Sequence, residues 1–183
     1  MKNRAQAGLT AGLTNEAVKV MGIDPGLAST GYAMLELKDE CCRLLEYGCI
    51  HTPARQDLAK RLMEIFRGIC LLIDRFTPAV MAVEQLFFCK NVRTAMQVGE
   101  ARGVVLTAAA TRSVSVVEYT PLQVKQAVAG FGRAEKKQVQ QMVALILKMP
   151  ELPEPDDAAD AIAIALCHIQ SRHWRKKVEN FRL

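Results

Sequence analysis

The hydrophobic period of this chain changes near residue 56 from about 2 to about 3.6, and that switch limits the folds open to it. Ahead of the switch, Val18–Asp24 (VKVMGID) is a short apolar run that ends at the turn DPGLAST. Residues 31–37 and 43–51 continue as two further strand-like segments, so a β-meander opens the domain. Behind the switch, Leu58, Leu62, Ile65, Phe66, Ile69, Leu72, Ile73 and Phe76 mark one face of a helix over 56–76, closed by Thr77 and Pro78. Residues 79–84 (AVMAVE) predict a buried strand, Val92–Thr111 a helix and 114–119 a fifth strand. Pro121 stands where a first-turn proline is tolerated. In 135–148, Val139, Met142, Val143, Ile146 and Leu147 form a helical stripe, and after PELPEP a last helix starts near Asp157. The order βββαβαβ followed by helices predicts an α/β domain with a five-stranded mixed sheet flanked by helices.

A chain of 183 residues suits one domain around one core. At 50% hydrophobic residues its body is no disordered segment. A net charge of +5 suits a polyanionic partner without demanding one. The six cysteines (41, 42, 49, 70, 89 and 167) show no CxxC pair and no zinc spacing. They read as small hydrophobes in a reducing compartment. No apolar run approaches the ~18–20 residues that span a bilayer, so no membrane role is expected. Residues 1–17 lack the apolar core of a secretory signal and are set apart as an extension. Residues 18–170 form the expected domain. Residues 171–183 read as a basic tail with Arg172, Arg175, Lys176, Lys177 and Arg182 and no convincing apolar stripe.

Chemistry concentrates in four acids. Asp24 ends the first strand, where open α/β sheets place ligands, although Asp also caps turns such as DPG. Glu84 ends AVMAVE, and a charge beside a core strand is expensive unless paired. A glutamate reaching solvent is the competing account. Asp157 and Asp160 share a helix face in PDDAADAIAIA. Acids in a first turn also favour the helix dipole, with Asp156 as the expected N-cap. The core-facing stripe of Ile162, Ala165, Leu166 and Ile169 lies close to that of the two acids, which capping does not require. Three separate segments thus deliver carboxylates to points that a mixed sheet would bring together. Two carboxylates 4 Å apart repel by ~4 kcal/mol at an effective dielectric of 20. Four would need cations, and hard oxygen ligands select Mg²⁺ or Mn²⁺. A pair of such ions suits in-line displacement at phosphate.

The segments MGIDPGLASTGYA, AVEQLFFCKN, ARGVVLTAAA, EYTPLQVKQAVAGFGRAEKKQVQQMV and DDAADAIAIALCH together resemble the RuvC family of Holliday-junction resolvases. The similarity runs in order from about Val18 to Ile169. It implies a ribonuclease-H-like fold, a homodimer in the bacterial cytoplasm, and Mg²⁺-dependent paired symmetric nicking of four-way junction DNA in recombination and repair. Two Mg²⁺ per site are expected, with Mn²⁺ as a substitute, and the RuvA–RuvB branch-migration complex as partner. Carried over by motif, the metal-binding catalytic acids are Asp24, Glu84, Asp157 and Asp160. Phe87 matches an aromatic that stacks on bases near the junction centre, with Phe88 beside it. Lys125 and Lys136 match basic residues of the family. Lys90, Arg93, Arg102 and Lys137 are further candidates for DNA contact, with solvated surface as their alternative. His168 is expected to pack, not to ligate.

Three other readings are open. A ribonuclease-H-like nuclease with relaxed or different substrates would share the acids. An actin- or sugar-kinase-like phosphotransferase also opens with strand, Asp and Gly-rich turn, but needs a duplicated domain for which there is no room. A non-catalytic junction-binding protein would be free to lose an acid, and all four are present.

Overall fold

The structure is a computed structural model that describes residues 17–85 and 92–180, with the backbone alone for 92–94 and 172–180. Its first three strands, β1 (Val18–Asp24), β2 (Ser29–Lys38) and β3 (Cys41–His51), are antiparallel neighbours. Short turns permit only that direction. The β2–β3 turn is made by Asp39 and Glu40 with φ of 49° and 63°. This is the left-handed pair that matches hairpin twist. β4 (Val80–Glu84) and β5 (Ser115–Tyr119) instead follow helices α1 (Leu58–Phe76) and α2 (Val92–Thr111). Those crossovers return the chain parallel to its start. The sheet order is β3-β2-β1-β4-β5, which makes β1 and β4 adjacent parallel strands.

Alternation along the strands feeds two cores. Met21, Ile23, Met34, Met81 and Val83 face α1 and α2, where Ile65, Ile69, Ala101 and Val105 meet them. Val20, Ala33, Leu35 and Ala82 face the other layer and pack on Ile162, Leu166, Val139 and Val143. That second layer comprises α3 (Pro121–Ala129), α4 (Lys136–Leu147) and α5 (Asp156–Asn180). Each fully buried Ile, Leu or Met contributes about 1.5–3 kcal/mol. The five-stranded mixed sheet and its flanking helices match the expected α/β architecture.

The ends of elements differ from expectation in instructive ways. Asp156 is the first residue of α5 instead of its cap. The Pro155 carbonyl accepts from the Ala158 and Ala159 amides, and the Asp156 carboxylate points to α4. α5 also runs without a break through Ser171 to Asn180, so the backbone at 171–180 is helical and continues the core helix. The apolar stripe stops before the helix does, because propagating a formed helix is far easier than starting one. Among the described residues no helix is long and apolar enough to cross a membrane.

Candidate active site

Asp24 is the last residue of β1 and Glu84 the last of β4. In the parallel register Ile23 lies beside Val83, so the two acids leave the sheet side by side at its carboxyl edge. Across β1 the partner of Asp24 is Gly31 on β2. A Cβ on Gly31 would come 1.9 Å from the Asp157 carbonyl oxygen, and one on Gly22 would come 2.1 Å from that of Ala161. Two side-chain-free positions therefore let α5 lie directly on the sheet backbone, with its first turns over the ends of β1 and β2. Ala158, Ala159 and Ala161 are fully buried beneath the acids and permit the same approach. The cost of glycine in a strand, about 0.5–1 kcal/mol, is accepted for that proximity.

The electrostatics show what this proximity does. The Asp24 carboxyl is pushed up to about 7, first by burial and then by Glu84, Asp160 and Asp157, with Lys136 pulling it down. Glu84 rises to about 6 through burial and the charge of Asp160, opposed by Lys125 and Lys136. Asp160 is raised by burial against a direct bond from Lys136. The Lys136 ammonium lies 2.9 Å from Asp160 Oδ2 and 3.3 Å from Asp156 Oδ2. A cleft of about 190 Å³ between Glu84 and Asp160 is lined by Pro121, Lys125 and Lys136. A larger groove of about 840 Å³, lined by Leu122, Gln126, Arg133 and Gln170, holds none of the acids. Of these two, only the smaller cleft is lined by acids of the candidate site.

Among the described residues no three ligating side chains stand ready in metal-gripping geometry. Lys136 covers Asp160 at 2.9 Å, so one of the four carboxylates is engaged by an ammonium. The donor set nonetheless fits a hard divalent cation. It offers carboxylate oxygens only, in a half-buried crevice where two of them lose affinity for their own charge.

The DNA-contact expectations divide. Lys125 is half-buried at the cleft and Lys137 is exposed next to Lys136. Arg102 instead donates to Glu118 of β5, which ties α2 to the sheet and engages the guanidinium within the fold. That pairing adds an internal partner to a residue for which phosphate contact and solvated surface were the two expectations. Phe87, Phe88 and Lys90 lie outside the described residues, as does the side chain of Arg93 in α2. His168 is buried, its ring 2.9 Å from the Tyr119 hydroxyl, and packs as expected.

Some residues of the site escaped sequence reasoning. Thr30 donates to the Gly26 carbonyl and Thr52 to that of Leu27, and buried Arg61 donates to Thr52, so three side chains brace the loop after Asp24. Only the isolated glycines Gly22 and Gly31 carried a readable signal, since glycine inside a strand marks a close approach.

A carboxylate crevice at the ends of two central parallel strands, on a 3-2-1-4-5 mixed sheet crossed by an acid-bearing helix, defines the ribonuclease-H-like nucleases. Within that class the chain belongs to the RuvC family: the model described as "Crossover junction endodeoxyribonuclease RuvC" matches residues 20–168. The Moorella thermoacetica member is 54% identical over 158 residues, which are 86% of this chain and 95% of that protein. The Halothermothrix orenii member is 49% identical over 158 residues, covering 86% of this chain and 96% of the relative. The structure of T. thermophilus RuvC in complex with a Holliday junction substrate superposes with a TM-score of 0.82 at 38% identity, covering 86% of this chain and 96% of that one.

Proposed function

We infer that this protein is a structure-selective DNA endonuclease that resolves four-way junctions by paired symmetric nicks in recombination and repair. The observation that carries this reading is the placement of Asp24 and Glu84 at neighbouring strand ends, with the first turn of α5 seated on Gly31 and two lysines lining the cleft of Glu84 and Asp160, in a member of the RuvC family. Asp24, Glu84, Asp157 and Asp160 would hold Mg²⁺, two ions per site, with Mn²⁺ as a substitute. Bound there, the ions supply a water activated near neutral pH and charge for the departing oxygen.

The protein's own groups do the rest. Partial burial of the strand-end acids raises their demand for a neutralising charge, and the glycine contacts seat the first turns of α5 on the strands beside Asp24. Lys125 and Lys136 offer positive charge where a scissile phosphate would sit, with Lys137, Lys90 and Arg93 as further backbone contacts. Phe87 would stack on an unpaired base at the branch point. One chain carries one set of acids, so paired nicks call for a homodimer. Junction DNA brought by the RuvA–RuvB complex in a bacterial cytoplasm is the setting that goes with this reading.

The test is cleavage of four-way and linear DNA side by side in Mg²⁺. Paired nicks in the junction alone support the reading. Equal cutting of linear duplex would turn it toward a ribonuclease-H-like nuclease of relaxed specificity, and binding without cutting toward a junction-binding protein.

A further inference from the structure

Lys136 and Gln140 lie one turn apart on α4, and Asp156 and Asp160 one turn apart on α5, so each pair presents one face to the other helix. The contacts between them form a closed set. Lys136 Nζ reaches Asp160 Oδ2 at 2.9 Å and Asp156 Oδ2 at 3.3 Å, while Gln140 Nε2 donates to Asp156 Oδ1 at 2.8 Å. The start of α4 is itself fixed, because the Glu135 amide donates to Gln138 Oε1 at 2.8 Å in a capping box. Asp156 therefore holds one oxygen toward Gln140 and the other toward Lys136. Its side chain is 65% exposed, against 33% for Asp160, which sets it outside the buried acids.

We propose that Asp156 is a positioning residue that anchors Lys136 at the rim of the acid cluster and keeps it there when a divalent cation takes Asp160. The proposal rests on the reading that the buried acids hold such a cation. As long as no cation sits on Asp160, Lys136 is shared between two carboxylates. Once a cation neutralises Asp160, it also repels the ammonium, and a lysine with no other partner would swing into solvent. Asp156 leaves it a partner on the same helix face, and Gln140 keeps that partner aimed. The cation then gains Asp160 without Lys136 leaving the site. Exposed ion pairs shift equilibria by no more than about fivefold, so the effect on metal uptake is small. The effect on the reaction is larger, because a misplaced group loses its alignment with the phosphate.

A double-mutant cycle on the full chain tests this with Asp156→Asn, Lys136→Ala and both together. Mn²⁺ uptake is followed by the electron paramagnetic resonance of the free ion, and nicking of a four-way junction in Mg²⁺ under single-turnover conditions. Asp156→Asn is expected to weaken Mn²⁺ uptake about two- to fivefold and to slow nicking on the order of tenfold, at unchanged junction affinity. In the Lys136→Ala background the same substitution should change neither quantity. Gln140→Ala should act in the same direction, more weakly, and only while Lys136 is present. This leaves a second readout should Asp156→Asn melt early in EDTA. Equal effects of Asp156→Asn with and without Lys136 would overturn the proposal, since Asp156 would then act as bulk negative charge. No effect in either background would overturn it as well. A wild-type protein that takes up no Mn²⁺ would remove the metal reading first, and this proposal with it.

Discussion

The carbonyl oxygen of Asp157 occupies the space in which a side chain on Gly31 would begin: a Cβ there would lie 1.9 Å away. Because Gly31 is the register partner of Asp24, the same contact that seats α5 brings its acids to the end of β1.

Gly31→Ala should therefore injure the site more than the fold. Overpacking of this kind costs about 1–3 kcal/mol, which a domain of this size tolerates. The lift of α5 falls on Asp157, and single-turnover nicking should drop on the order of a hundredfold. Gly22→Ala, about one turn further along α5, is the comparison: similar loss of melting temperature with a smaller loss of rate. Equal rate losses would mean that the helix shifts as one body.

Asp157→Asn should abolish nicking and leave junction binding nearly intact. It keeps the shape and deletes a ligand charge, and phosphate contacts dominate affinity. Gel shift and nicking on one preparation decide it. Near-normal nicking would reduce Asp157 to a first-turn helix acid.

The raised carboxyls predict how the metal-free protein responds to pH. Asp24 and Glu84 titrate at about 7 and about 6 when folded, above their ordinary 3.8 and 4.5, so between those limits the folded chain binds more protons than the unfolded one. Stability from these groups is then greatest at the acid end and declines as pH rises from about 4 to about 7. In EDTA the melting temperature of Asp24→Asn should exceed that of the parent at pH 7.5 and converge with it near pH 4. Mg²⁺ should restore the parent and leave Asp24→Asn little changed. A variant equal to the parent at pH 7.5 would show that the crevice carries no strain of charge.

Phe87 follows Glu84 by three residues, and a ring there would meet unstacked bases at a branch point. Phe87→Ala should depress junction cleavage by the equivalent of about 1–3 kcal/mol while the melting temperature holds. Phe88→Ala is the control: if that ring packs in the core, its loss should instead cost about 3–5 kcal/mol of stability. The reverse pattern would exchange the two assignments, and early melting of both would make the segment core.

The sheet was legible in the sequence because its strands differ sharply in period from its helices. Val18–Asp24 and Val92–Thr111 agree with the structure residue for residue. The β2–β3 turn was harder, since Asp39 and Glu40 adopt a left-handed pair usually signalled by Asn-Gly. In the site, strand ends and an i, i+3 spacing are one-dimensional signals, and Asp24, Glu84, Asp157 and Asp160 could be picked out from them. What holds those acids is a contact between distant segments. Gly31 with Asp157, Arg61 with Thr52, and Lys136 with Asp156 are separated by tens of ordinary residues or paired with partners that pattern does not distinguish. Arg102 shows the converse, a lone arginine in the sequence that finds Glu118 only once β5 is laid beside α2.

The unbroken course of α5 from Asp156 to Asn180 turns that helix into a ruler. At about 1.5 Å per residue, the stretch bearing Arg172, Arg175, Lys176 and Lys177 begins about 18 Å of axial travel beyond Asp160 and extends to about 26 Å. A loose tail would sample a broad range of separations. A continuous helix keeps one, so whatever meets those basic residues is held at a set span from the carboxylates at the other end.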